Sequence, residues 1–332
     1  MIKFFQKNKK YSKLISAIQK AETVLLFTHI NPDGDALGAL LSMRMAVQHF
    51  HKKVYAVILD TVKHDLDFLP GVDQLLQLAD FPKNFNFKNS LAISLDVADK
   101  KRLGAAHSLF VKAENTAQLD HHPTNDAFAD LNYIETSACS TAIMVYDFIK
   151  ENKIPISVDL ATTLYTGIST DTGNFAFSNT NVHTFEAMTD LAKAGLPINE
   201  LHYILFRRKQ TPQQRILARA LNNLHLFANN RAAYVFITKQ DLIETGADNE
   251  HTTTIVNNVV EIEGVDMAFF IHESLDGKIR CSFRCKENYR VDKIASEFGG
   301  GGHKYASGAT IDLPMEKGIA KICAAIEKEL AK

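Results

Sequence analysis

The sequence predicts an α/β protein in two parts: a mostly parallel, doubly wound sheet first, then a smaller α/β domain. Three observations carry this prediction. Short apolar runs alternate with helix-like segments through the first half. Acidic and histidine clusters follow the apolar runs. Beyond about residue 222 the pattern changes to strand-rich hairpin sequence. The runs at 24–28, 53–59, 91–96, 116–119 and 131–134 are strand-length and bounded by turn residues, so they read as strands. Segments 11–21, 36–50, 140–152 and 157–170 read as the intervening helices, and such alternation gives a parallel sheet covered on both faces. A helix over 181–194 opens at Thr180 and closes at Gly195-Leu196-Pro197. The charged stretch 198–222 contains Arg207, Arg208, Lys209, Arg215 and Arg219 and reads as helical. Residues 196–222 are therefore expected to link a domain at 1–195 to one at 223–332. In the latter, Arg231–Thr238 reads as a strand, and 267–275 with 278–285 as a hairpin about Asp276-Gly277. A tail helix over 316–331 carries Ile319, Ile322, Cys323, Ile326 and Leu330 on one stripe.

Of the 332 residues, 46% are hydrophobic and 23% charged, the balance of a soluble globular chain. With 37 basic and 38 acidic side chains the net charge is −1. That balance argues against binding long duplexes by overall charge and suits a small or short anionic substrate. Cys139, Cys281, Cys285 and Cys323 contain no Cys-x-x-Cys pair and read as buried thiols. The first ten residues lack a signal-peptide core and no apolar run reaches membrane length, so a cytoplasmic compartment and no membrane partner are expected.

Chemistry-bearing residues gather where strands are expected to end. His29, Asp33 and Asp35 follow the run Val24–Phe27 on a turn marked by Asn-Pro and Asp-Gly; an Asx-turn with a surface histidine would use the same residues. Asp96 closes an apolar strand, where an acid needs a metal or a positive partner; a helix N-cap at Asp96 or Asp99 is the alternative. Asp120-His121-His122-Pro123 offers an acid and two imidazoles at a strand end. Because neighbouring strand residues face opposite sides, the two histidines are expected to do different work. Asp171 lies between Thr170 and Thr172, near Gly167 and Gly173, at a helix end. Carboxylates and imidazoles on several strand ends are the donor set of a two-metal hydrolase. Near the end of the chain, Gly299–Gly302 with His303 lets the backbone approach a phosphate closely. Arg284 lies in the strand Cys281–Cys285, and a guanidinium can pair two phosphate oxygens. Arg102 reads as a solvated charge at a helix start.

The order His-x-x-x-Asp-x-Asp, Asp, Asp-His-His, Asp resembles the DHH phosphoesterase superfamily, which is named for its third motif. Phe298–Ala309 resembles the glycine-rich signature of its associated C-terminal domain. The resemblance spans about residues 20 to 312 and is most similar to the branch that degrades short oligoribonucleotides and dephosphorylates phosphoadenosine phosphate. It implies two divalent ions, usually Mn²⁺. One would be held by His29, Asp33 and Asp96, and the other by Asp35, Asp96, His121 and Asp171, with Asp96 bridging. It further implies that Asp120 orients a histidine and that His122 faces the scissile phosphate. Arg284, Gly300, Gly301, Gly302 and His303 would grip the substrate, in a cleft between the two domains. Cys285, after that arginine, replaces the family's usual small residue. The substrates implied are short single-stranded RNA, dinucleotides or a nucleotide bisphosphate. A phosphodiesterase of cyclic-di-AMP or linear di-adenylate shares every motif, and a nucleotide-binding regulator is the non-enzymatic rival. A homodimer is left open by the sequence.

Overall fold

The structure is a computed structural model and describes residues 9–286 and 288–331. Most of the N-terminal decapeptide, read above for its lack of an export signal, lies outside the described residues. The chain forms two compact units, one ending at Arg208 and one beginning at Lys209. The boundary falls inside the segment expected to be a single helical connection.

The first unit contains α1 (Ser12–Lys20), β1 (Thr23–Phe27), α2 (Gly34–His49), β2 (Lys53–Ile58), β3 (Leu76–Gln77), β4 (Ser90–Leu95), α3 (His107–Phe110), β5 (Asn115–Asp120), β6 (Leu131–Ile134), α4 (Thr141–Glu151), α5 (Val158–Asp171), α6 (Val182–Lys193) and α7 (Ile198–His202). Its strands form one sheet in the order β3-β2-β1-β4-β5-β6, parallel at every pairing. β4 is buried at all six positions, which explains its unbroken apolar run, since a parallel strand is covered on both faces. One face packs under helices through Leu14, Leu40, Ile143 and Leu164. The other is closed by Leu103, Phe110 and Phe81, so α3, a short helical turn at Lys100–Ala106 and an aromatic loop stand where full helices were expected. Ser140 and Ser157 cap α4 and α5 by accepting from the Ile143 and Leu160 amides, each worth about 1 kcal/mol. The strand order reverses between β1 and β4. In open α/β sheets, ligands bind beyond the carboxyl ends at such a switch point.

The second unit contains α8 (Thr211–Asn222), β7 (His225–Phe227), β8 (Ala232–Ile237), α9 (Lys239–Thr245), α10 (Ile255–Val260), β9 (Met267–Glu273), β10 (Ile279–Cys285), α11 (Asp292–Glu297), β11 (Gly301–His303), β12 (Ala306–Ile311) and α12 (Met315–Leu330). Its sheet runs β11-β12-β10-β9-β8-β7, with β8 parallel to β9 and the other pairs antiparallel. Cys281, Phe283 and Cys285 alternate along β10 into a core shared with Ile322 and Ile326 of α12. Full burial of each such isoleucine contributes about 1.5–3 kcal/mol. The opposite face packs on Ile216 of α8 and on Val256 and Val259 of α10. No helix among the described residues is long and apolar enough to cross a membrane.

Candidate metal centre and substrate contacts

Three of the histidines and two of the acids singled out leave the sheet at its carboxyl edge. His29 follows β1, Asp96 follows β4, and Asp120 ends β5 with His121 and His122 just beyond. Asp96 adopts φ +61°, a left-handed conformation that few residues other than glycine, asparagine and aspartate take up. Its N–H donates to the Leu119 carbonyl, 3.1 Å away, so the reversal is tied to the neighbouring strand. Asp33 caps α2 by accepting from the Ala36 amide through Oδ1 (3.1 Å). One carboxylate oxygen thus bonds the backbone, as the Asx-turn alternative required, while Oδ2 is left facing His29 Nε2 at 3.9 Å.

Asp96 stands at the centre of the cluster. Its Oδ2 lies 3.6 Å from His29 Nε2, and its Oδ1 lies 3.7 Å from both His121 Nε2 and His122 Nδ1. Thr141 Oγ1 donates to the same Oδ1 at 3.0 Å. His121 Nε2 also lies 3.5 Å from Asp171 Oδ2 and 4.0 Å from Asp35 Oδ2. Three sets of donor atoms thus converge: His29, Asp33 and Asp96; Asp35, His121 and Asp171; and Asp96, His121 and His122.

The helices bring the remaining acids in. Asp35, buried in the first turn of α2, accepts from the Thr141 and Ala142 amides of α4 at 2.6 and 2.8 Å. α2 and α5 approach closely because Gly38 faces the backbone of Gly167, where a Cβ on Gly38 would lie 2.6–3.0 Å from main-chain atoms. Gly167 in turn leaves room for the Asp35 carboxylate.

The charges are poorly compensated by the protein alone. Burial, then Asp96 and Asp171, push the Asp35 carboxyl well above its usual range. Asp171 is pushed up to about 6, chiefly by burial and against the pull of His121. It also ends α5, where the helix dipole disfavours an anion. Burial pushes Asp96 upward too, but the His29 hydrogen bond and the imidazoles of His122 and His121 outweigh it and hold Asp96 low. Oxygen and imidazole donors with excess buried negative charge fit a hard or borderline divalent cation. His29 Nδ1 lies 2.7 Å from the Ile30 carbonyl, and Nε2 faces the acids, the nitrogen through which the ring would meet a cation.

Asp120 and His122 make a different pair. His122 Nδ1–H donates to Asp120 Oδ1 at 2.8 Å, leaving Nε2 for another partner. Burial pulls the His122 pKa down, but the Asp120 hydrogen bond and Asp96 raise it above its ordinary value. Asn125 Nδ2 donates to Asp120 Oδ2 (2.6 Å), and Gln118 Nε2 donates to Asn125 Oδ1 (2.8 Å).

Residues 23–168 match the DHH family, N-terminal domain, and residues 214–332 match the DHHA1 domain. The chain carries a DHH domain followed by a DHHA1 domain. It is similar to the bifunctional oligoribonuclease and PAP phosphatase NrnA of Bacillus subtilis, 29% identical over 90% of this chain and 93% of that protein. It is also similar to the protein of the same name from Thermus thermophilus, 27% identical over 99% of this chain and 96% of that protein. An exopolyphosphatase-related protein from Bacteroides fragilis shares the fold with a TM-score of 0.86, at 22% identity, covering 95% of this chain and 94% of the other.

Two residues of the DHH unit enter the picture that the sequence left out. Arg102, read as a solvated charge, lies with Nη2 3.1 Å from His29 Nδ1 and makes no carboxylate ion pair among the described residues. The signal was its position six residues after Asp96, in the turn that follows β4. Asn125 was hidden because a lone asparagine after proline reads as loop chemistry.

In the DHHA1 unit, Arg284 is held by its Nε to Asn257 Oδ1 of α10 and by Nη1 to the Phe283 carbonyl, both at 2.9 Å. The glycine run, expected to let the backbone approach a phosphate, is in part the edge strand β11, paired to β12 through Gly301, Gly302 and His303. The glycines at 300 and 302 are required by the chain itself: a Cβ on Gly300 would meet the Gly308 carbonyl at 2.2 Å, and one on Gly302 the Ala306 carbonyl at 2.8 Å. Gly301 has open space around it. His303, Ala306 and Arg284 fall in one register row across β11, β12 and β10. Directly paired residues project to the same face, so histidine and arginine share a face with only an alanine between them.

Proposed function

We propose that this chain hydrolyses phosphate ester bonds, degrading short oligoribonucleotides to mononucleotides and removing the 3′-phosphate of phosphoadenosine phosphate. The observation that carries the reading is Asp96, whose two oxygens face separate histidine-containing donor sets within one acidic pocket. The names of the relatives, each matched over 90% or more of this chain, support the substrates. Two divalent ions, Mn²⁺ by expectation, would be held by His29, Asp33 and Asp96 and by Asp35, Asp96, His121 and Asp171; they supply Lewis-acid activation of water and of the phosphoryl group.

The chain's own groups do the rest. Asp120, itself fixed by Asn125, holds the His122 imidazole so that Nε2 can donate to a phosphoryl oxygen as charge develops there. Arg102 beside His29 offers a guanidinium to the same anion. The Thr141 and Ala142 amides and the Thr141 hydroxyl hold Asp35 and Asp96 in place, so little reorganisation is needed on binding. Arg284 and His303 are proposed as further phosphate contacts.

Turnover with Mn²⁺ on four substrates in parallel tests the reading: an RNA trimer, linear di-adenylate, cyclic-di-AMP and phosphoadenosine phosphate. Loss of the trimer and of phosphoadenosine phosphate with cyclic-di-AMP untouched is expected. Cyclic-di-AMP as the best substrate would move the chain to cyclic-dinucleotide turnover, and binding without turnover would make it a nucleotide-binding regulator.

A further inference from the structure

We propose that the ring of Phe177 is a stacking platform for a nucleobase of the substrate, seated beside Asp171 by a strained turn; this rests on the nucleotide-hydrolase reading above. After α5 ends at Asp171, the chain reverses through Gly173, Asn174 and Phe175 with φ of +55°, +57° and +67°. Three successive left-handed residues, one of them a bulky aromatic, are rare, and such strain persists where the surroundings enforce it.

Here they do. The Asn174 N–H donates to the Ser169 carbonyl at 2.7 Å, the Phe177 N–H to Thr172 at 3.0 Å, and the Thr180 N–H to Phe177 at 3.1 Å. Asn179 Nδ2 donates to the carbonyls of Asp171 and Cys139 at 3.1 and 2.9 Å. The turn is therefore bolted to the end of the helix that carries Asp171.

Its two aromatic rings go different ways. Phe175 packs inward, 6.5 Å from the Tyr165 ring and 5.9 Å from Phe185. Phe177 stays 60% exposed. A Cβ built on Gly173 would lie 2.4, 2.5 and 2.6 Å from Phe177 Cζ, Cε1 and Cε2. Near-equal separations from three adjacent ring atoms put Gly173 over the ring face, so the ring rests on backbone with its other face open to solvent. A singly exposed phenylalanine is ordinary. What distinguishes this one is a left-handed turn and a glycine, Gly173, that hold the ring flat, the glycine lying two residues after Asp171. An aromatic ring beside a phosphate-handling site is the usual platform for single-stranded nucleic acid, and it tolerates any base because every base has a π-face. The assignment gives the DHH unit its own preference for nucleotides over base-free phosphate esters.

The chain has no tryptophan, so F177W introduces a single indole at the proposed platform, which can be excited selectively over the tyrosines. AMP is expected to quench it saturably, while ribose 5-phosphate, with the same phosphate and no base, does not. In turnover of an RNA dinucleotide, F177A and F177L are expected to raise KM about tenfold, within the range for one base stacked on an aromatic side chain. The loss should fall in KM rather than in kcat, and F177W should recover most of it. Wild-type KM in F177L would show that only apolar packing is needed and would overturn the proposal, as would equal responses to AMP and ribose 5-phosphate. If the wild-type chain turned over no nucleotide, the functional reading would fail, while the fluorescence comparison would still decide the platform.

Discussion

Gly167→Ala is a one-methyl change that should separate the centre's geometry from the stability of the fold. The new Cβ would lie 2.4 Å from the Ala142 Cβ and 2.9 Å from Asp35 Oδ1. Carbon atoms in contact prefer about 3.5–4.0 Å, so α4 and α5 must separate by more than 1 Å, and the Asp35 carboxylate must give as well. Overpacking of this kind costs about 1–3 kcal/mol, and alanine in place of glycine in a helix returns about 1 kcal/mol. The net loss is therefore at most about 2 kcal/mol, a fall of about 4–8 °C in the melting temperature of a unit this size. The carboxylate shift matters more. Asp35 is held by the Thr141 and Ala142 amides, and disturbing such support lowers metal affinity about 10–100-fold. The assay pairs thermal unfolding with Mn²⁺ titration. Adding Ala142→Gly removes the methyl–methyl clash and leaves the Asp35 contact, so the double variant should regain stability without regaining affinity. Wild-type melting and wild-type Mn²⁺ affinity in Gly167→Ala would refute the reasoning, as would joint recovery of both in the double variant.

Three further expectations follow from other parts of the molecule. Asn125→Ala strips one Asp120 oxygen of its donor and should lower kcat about 10–100-fold, as loss of an orienting partner does, with an unchanged circular dichroism spectrum; full kcat would leave Asp120 positioned by something else. His272 is buried with no hydrogen-bond partner on either ring nitrogen among the described residues, and burial, then Arg280, lower its pKa to about 4. A depressed histidine contributes its stability in full above the unfolded pKa near 6.5 and loses it as pH falls toward 4, about 3 kcal/mol in all. Denaturant unfolding of His272→Leu across that window should lack this component; a slope equal to wild type would place the ring in water. Arg284→Ala should keep Mn²⁺ binding and raise KM for a dinucleotide several-fold, and a lost metal with unchanged KM would reverse that assignment.

The first unit was legible because its central strands are buried on both faces and Asp96 and Asp120 stand at strand ends. Asp96 could be singled out for that reason alone. What covers the second face was not legible: α3 and the turn at Lys100–Ala106 are too short for a helical repeat to show. Residues 198–222 read as one helix, but the chain leaves helical geometry at Arg208 and restarts at Thr211 with Pro212 in its first turn. In the second unit the hairpin of β9 and β10 was visible from Asp276-Gly277. β11 was not, because an edge strand of Gly301, Gly302 and His303 has no alternating apolar face and its pairing to β12 is set by backbone contacts. α9 carried a capping box of Thr238 and Asp241, a signal that was present in the sequence and passed over. Gly167 acts through Asp35 and Ala142, both distant in the chain, which no local pattern reveals.

Metal-dependent turnover compared between the wild-type chain and Asp96→Ala tests the central claim most directly. Protein stripped of metal should not cleave a 5′-labelled RNA trimer, added Mn²⁺ should restore cleavage, and Asp96→Ala should neither bind Mn²⁺ tightly nor recover. Cleavage at full rate by the stripped protein, or restoration of Asp96→Ala to wild-type turnover, would contradict a metal centre built around Asp96.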